Sequence, residues 1–215
     1  MGGIRQRRSF RRGWRALIAD AAGLAAIEMA LIFPMAAMLM SLIVYGGQAY
    51  FVWRKVTLGA TTVANLLAQG NNNGSATITA AELSQILEYP SLILYPYNGS
   101  TVKVEGSQLL VTANANGTAT GTVCGSWANA NGTARTVGQQ LSVVPSIASA
   151  FSGSGANNNP PCGNIPANSV PTNYVILGEV QYPFQPTGLY FTVPSITLSD
   201  SIMMIPRTAA EITVQ

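Results

Sequence analysis

The side chains able to do chemistry are few. The 215-residue chain holds no histidine, two cysteines (Cys124 and Cys162) and eight carboxylates. Without histidine the commonest acid–base catalyst and metal ligand is missing, and two cysteines alone do not close a zinc site. Glu82, Glu88, Glu105, Glu179, Asp200 and Glu211 are scattered, and spacing pairs no two of them as glycoside hydrolysis requires. The glycine-rich stretches lack the lysine and the strand–turn–helix setting of a phosphate-binding loop. No catalytic residue, cofactor or metal is therefore expected. Two placements keep their interest: Glu28, a carboxylate bordering a long apolar run, and the cysteine pair, which can join as one disulfide.

The elements that must position these groups follow from the charge distribution. Only 9% of residues are charged, against about 25% in ordinary soluble domains, while 48% are hydrophobic, too many for a disordered chain. Six arginines (Arg5, Arg7, Arg8, Arg11, Arg12, Arg15) and Asp20 give residues 1–23 a charge of +5, and the remaining residues carry −2. A basic arm for nucleic acid would need interleaved aromatics and a basic folded domain, and it has neither. From Met29 to Trp53 no residue is charged. As a helix this run rises about 37 Å, enough for a hydrocarbon core of about 30 Å. A basic leader before such a span predicts an N-terminus in the cytoplasm and a C-terminus outside. Tyr45, Tyr50 and Trp53 cluster at the far end, where aromatic rings favour the lipid–water interface, and Arg54 and Lys55 stop the run in water or by snorkelling. Val56, Ala60, Val63, Ala64 and Leu67 recur at helical spacing, so a stalk continues to about Ala68 and ends at Gly70-Asn71-Asn72-Asn73-Gly74.

Pro34 inside the run predicts a kink that membrane helices tolerate. Glu28 costs up to about 3 kcal/mol if it reaches the bilayer centre; it either lies at the cytoplasmic boundary or awaits a cation. The segment Gly23-Leu24-Ala25-Ala26-Ile27-Glu28-Met29-Ala30-Leu31-Ile32-Phe33-Pro34 resembles the N-terminal signature of TadE/TadG-like proteins of the Flp (tad) pilus machinery, with the likeness extending from about Ala21 to Ala68. It returns near Val180-Gln181-Tyr182-Pro183-Phe184 and Pro206-Arg207. The resemblance implies processing by a prepilin peptidase that cuts between Gly23 and Leu24, leaving Glu28 fifth in the mature chain. The freed amino group of Leu24 would then neutralise the Glu28 carboxylate of a neighbouring helix. Met29 departs from the aromatic residue the pilin signature prefers, which puts the cut in doubt. Two other export signals are weaker: Gln6-Arg7-Arg8-Ser9-Phe10 is a twin-arginine look-alike too far from the apolar core, and Gly47-Gln48-Ala49 follows a stretch too long for a signal peptide.

Residues 70–215 read as an exported α+β domain. The fifteen asparagines all fall at or after Asn65, and with Gly, Ser and Thr they favour turns. The Asn-Gly-Ser/Thr triplets at Asn73, Asn98, Asn116 and Asn131 read as turn chemistry rather than glycosylation acceptors. Thr79-Ala80-Ala81-Glu82 forms a capping box with Ile78 and Leu83 as its staple, opening a helix expected to stop near Glu88, before Pro90. Val102 and Val104 begin a strand, Gly106-Ser107 is expected to turn, and Leu109 and Val111 begin the return. Residues 120–127, 174–183 and 195–204 are further strands, the last two expected to pair antiparallel across Pro186-Thr187-Gly188. Residues 152–173 predict a long loop. Outside the membrane, in an oxidising compartment, Cys124 and Cys162 are expected to form a disulfide tying that loop to the sheet.

The expected organisation is a basic leader (1–23), a transmembrane helix (24–53), a helical stalk (54–69) and a periplasmic domain (70–215) with an antiparallel sheet packed on the stalk. The resemblance implies a bacterial inner-membrane structural or assembly component, a minor pilin or pseudopilin. Its partners would be membrane lipid, pilin or other pilus-assembly helices approached through small residues such as Ala36, Ala37, Gly46 and Gly47, and a prepilin peptidase. The alternative is a membrane-tethered periplasmic binding module or adhesin outside any pilus.

Overall fold

A computed structural model describes residues 21–70, 77–113, 118–143, 162, 174–186, 194–207 and 212–215. The basic leader to Asp20, Asn71 to Gly74, Asn116, the turn beyond Pro186 and the loop at 152–173 apart from Cys162 lie outside these residues. The architecture is α+β: a long apolar N-terminal helix followed by a curled antiparallel sheet. The chain divides between Gln48 and Ala49 into two units.

Helix α1 runs Ala21–Gln69 with Pro34 inside it. It ends where Gly70 takes φ +65 and donates its N–H to the Leu67 carbonyl, a left-handed position that suits glycine. The second unit contains the rest of the described elements: β1 (Thr77–Ile78), α2 (Ala80–Ile93), a 3-10 turn (Gly99–Thr101), β2 (Lys103–Ala113), β3 (Ala119–Ala128), β4 (Gln140–Ser142), β5 (Tyr174–Phe184), β6 (Ile196–Met204) and β7 (Thr213–Val214). Five strands form one antiparallel sheet in the order β4-β3-β2-β5-β6, and β1 pairs with β7 in parallel. Pro183, which has no N–H to give, faces Thr197 of β6 beyond the point where pairing with β2 stops at Gln181.

The core lies between the helices and one sheet face. Val52, Val56, Ala60, Val63, Leu67 and Ala68 of α1, Leu83, Ile86 and Leu87 of α2, and Val104, Ile176, Val180, Tyr182 and Phe184 of the sheet are buried together. Glycines let α1 approach: Gly106 and Gly178 face each other across β2 and β5. A Cβ on Gly178 would stand 2.8 Å from the backbone O of Ala60 and N of Ala64, and one on Gly106 would stand 2.4 Å from Leu67 Cδ1. The opposite face buries Leu109, Val111, Val123, Val175 and Leu177.

Two expectations are corrected. Gly106-Ser107 is not a turn, because β2 continues straight through it; glycine is there for the close approach of Leu67. Nor does α2 stop before Pro90: it continues to Ile93 with Pro90 inside. Proline forgoes one helical bond, but Pro90 is buried, lies against Gly59, and accepts the Leu94 N–H at 3.1 Å. The capping box stands as expected: Glu82 N–H donates to Thr79 Oγ1 (3.2 Å), and Thr79 N–H to Glu82 Oε2 (2.9 Å). The Thr79 N–H and the Thr79 hydroxyl, the latter also at 2.9 Å, both donate to Glu82 Oε2 and hold the exposed carboxyl below its ordinary value of 4.5, the backbone bond most. Ile78 and Leu83, the staple pair, share the core.

Candidate functional site

The feature that most constrains function is the uncovered half of α1. Between Ala25 and Met40 every side chain is exposed, including Ile27, Met29, Leu31, Phe33, Met35 and Leu39. The helix is long and apolar enough to cross a membrane. Large apolar side chains left in contact with solvent along such a length need a covering, which lipid or other apolar helices supply. Glu28 is exposed within this segment, and Gly23 and Leu24 belong to the backbone of its first turns. The proposed cut would therefore fall inside helix. At Gly46 and Gly47 a Cβ would meet nothing within 4 Å, so these positions leave space for a second helix.

Where α1 enters the folded unit, the surface changes character. Tyr50, Phe51 and Trp53 are exposed and their rings touch, with centroids 6.2 Å apart for Tyr50–Phe51 and for Tyr50–Trp53. Val52, between them, is fully buried, so core packing begins ahead of Arg54 rather than after it. Arg54 is exposed. Lys55 neither stands free in water nor snorkels: Nζ donates to the carbonyls of Ile93 (3.2 Å) and Tyr95, and lies 5.9 Å from the Tyr97 ring centroid. A cation on the last carbonyls of α2 complements the helix dipole and fastens α2 to α1.

Cys124 and Cys162 are joined by a disulfide, with Cα atoms 5.2 Å apart. The register explains how Cys124 is presented. Gln108 faces Gly125 whereas Leu109 faces Val123, so Cys124 is the extra residue of a β-bulge.

Spacing alone pairs none of the acids, but the sheet brings two together. Glu105 and Glu179 are directly opposite on β2 and β5, where like charges repel. Arg135, from the β3–β4 connection, places Nε 3.1 Å from a carboxylate oxygen of each and adds a second bond from Nη2 to Glu179. The Ser126 hydroxyl donates to Glu105 (3.2 Å) and accepts the Arg135 N–H (2.9 Å). Burial holds the Glu105 carboxyl above its ordinary 4.5, with Glu179 adding to the rise and Arg135 and the hydroxyls of Ser126 and Ser107, which donate to it, opposing it. All three charged side chains are about four-fifths buried. The arrangement sets one guanidinium between two carboxylates across the sheet and leaves neither carboxylate free as a base. Sequence gave no signal for it, since the partners are separated by 30 and 44 residues.

Asparagine serves as turn chemistry at both described triplets. Asn98 Oδ1 accepts the Ser100 N–H (3.1 Å), and Asn131 Nδ2 donates to the carbonyls of Ser100 and Val102. Among the described residues no group of three or more Cys, Asp or Glu is placed to hold a metal. Compared with family models, curated proteins and solved structures, the chain matches none.

Proposed function

We propose that this protein is a bitopic membrane protein of the bacterial inner membrane, N-terminus in the cytoplasm and folded unit in the periplasm. It acts as a structural or assembly component of a Flp/tad-type pilus or related secretion apparatus. The observation that carries the reading is the run of exposed apolar side chains on α1, continuous from Ala25 to Met40 and ending beyond in exposed aromatics. Five positive charges precede that run and the chain beyond it is slightly acidic, which supports the orientation. The disulfide supports an oxidising compartment for the folded unit. The resemblance of Gly23–Pro34 to the TadE/TadG-like signature supplies the pilus assignment. In this role α1 anchors the protein and packs against other membrane helices, while the sheet presents a rigid shape to partners.

The test has two parts. Intact mass of the protein extracted from membranes by detergent, but not by alkaline carbonate, decides anchoring and processing together. Removal of residues 1–23 supports the pilin-like cut, an intact leader excludes it, and release by carbonate defeats the membrane assignment. Deleting the gene and counting surface pili then tests the pilus assignment: loss of pili is expected, and unchanged pili favour the tethered binding module.

A further inference from the structure

Residues 212–215 lie on the folded unit as an added strand. β7 pairs with β1 over two residues, Thr213 with Thr77 and Val214 with Ile78. Main-chain bonds extend the pairing: the Gln215 N–H donates to the Ile78 carbonyl (3.1 Å), and the Ala80 N–H, at the start of α2, donates to a Gln215 main-chain oxygen (2.9 Å). Of these four residues only Ile212 is buried; Thr213 and Gln215 are exposed and Val214 is half-buried. Another extended chain with an aliphatic residue at the Ile212 position makes the same bonds, because they come from the main chain. The floor of the seat is less well matched. Gln108 is 1% exposed. Its Oε1 accepts the Ile212 N–H at 2.9 Å, yet among the described residues its Nε2 has no partner. A buried N–H group without an acceptor is a cost of the present occupant. An extended chain carries both N–H and carbonyl groups, so a carboxamide pairs with both where the register suits. Residues 212–215 are not free to adopt that register: Arg207, five residues earlier, is tied by its N–H to the Ala68 carbonyl at 2.9 Å.

We propose that this seat, formed by β1, the Ala80 N–H and the Gln108 carboxamide, is a strand-acceptor site for a partner protein, which residues 212–215 hold closed in the free molecule. The ligand is an extended segment with a branched aliphatic side chain for the Ile212 position and one carbonyl set against Gln108 Nε2. It adds beside β1 as residues 212–215 leave, and it gains the bond that they do not make. Exchange with a second copy forms the same bonds and adds the entropy cost of association, so the partner is a different chain. Every residue of the seat belongs to the second unit, and the inference stands apart from the membrane assignment.

Hydrogen exchange of the full natural chain in detergent tests the opening first. The Ala80 and Gln215 amides are expected to exchange at least about tenfold faster than the Val180 amide, which lies between β2 and β6. Exchange of all three at one rate, through global unfolding alone, overturns the inference. A labelled peptide with the sequence of residues 211–215, blocked at both ends, is then titrated against the natural chain and against Ile212→Asp, whose own segment is unseated. The variant is expected to bind the peptide at least about tenfold tighter, because no tethered competitor holds the seat. Adding Gln108→Leu to that variant is expected to weaken binding about tenfold. No binding to the variant, equal binding to both chains, or binding that Gln108→Leu leaves unchanged overturns the proposal. A dimer of the natural chain that the peptide dissociates shows exchange between copies and overturns it too. The exchange measurement uses the natural chain, so it decides the matter even where Ile212→Asp disturbs the core.

Discussion

At Gly178 the backbone of α1 leaves no space for a side chain, and the atoms that a methyl group would strike are main-chain atoms of Ala60 and Ala64. Gly106 faces it across the strands, yet there the obstacle is the end of the Leu67 side chain. The two glycines should therefore respond differently to the same substitution. Gly178→Ala is expected to cost about 3 kcal/mol, since helix and sheet must part, and Gly106→Ala about 1 kcal/mol, since Leu67 can rotate. Urea unfolding of the two variants compares them; equal losses would show that backbone contact is not the limiting one. At Arg135 the issue is charge. Arg135→Ala leaves Glu105 opposite Glu179 in a mostly buried setting, a loss of about 1–3 kcal/mol at neutral pH. The folded state already holds the Glu105 proton more tightly than the unfolded chain does, because its carboxyl is raised above 4.5 by burial. Stability from this group therefore falls as pH rises from 4.5 through the folded value, and removing Arg135 raises that value further. The deficit of the variant should be small in acid and grow upward from about pH 4.5, as read by thermal unfolding across pH; a deficit independent of pH would exclude this account.

Among the elements, β3 shows how a local irregularity is used. Its bulge turns Cys124 out of the ladder, and the disulfide ties it to Cys162 across a separation of 38 residues. Restricting an unfolded loop of that length is worth about 4 kcal/mol in the chain-entropy model. Cys124→Ser should lower the unfolding free energy by about that amount, and reductant should weaken the natural protein but not the variant in the same assay. No effect of reductant on the natural protein would count against the bond as a stabilising element. Much of the element plan was legible beforehand. The capping box at Thr79 and Glu82 is a local signal satisfied within one turn, and the alternation or apolar content of 120–127, 174–183 and 195–204 identified strands that the sheet contains. Pro90 and Gly106-Ser107 misled for a common reason. Each has a local preference to break structure, and in each case packing overrides it: Pro90 fits against Gly59, and Gly106 beneath Leu67. The short strands β1, β4 and β7 carry too few residues to show a period.

For the whole molecule, the pI near 9.0 describes no folded surface. The positive charge belongs to residues 1–23, and the chain beyond carries −2. A cut after Gly23 would therefore move the protein to the acidic side on isoelectric focusing, an independent reading of the processing measured by mass. The division also explains why one chain combines uncovered apolar side chains at Ala25–Met40 with a conventional core from Val52 onward. The same helix supplies both: its first part is apolar all round, and its last part presents one apolar stripe, Val52, Val56, Ala60, Val63, Leu67, to the sheet.

The sequence by itself determined the apolar helix, its charge asymmetry, the helix cap at Thr79 and most of the strands. These depend on neighbours within a few residues or on composition over a window. Tertiary structure alone decided that Glu105 and Glu179 share Arg135, that Lys55 closes α2 and that Cys124 occupies a bulge. Each of these joins residues far apart in the chain, and strand register and helix docking set which ones meet. A register shift of one residue between β2 and β5 would turn Glu105 or Glu179 to the other face of the sheet, away from Arg135.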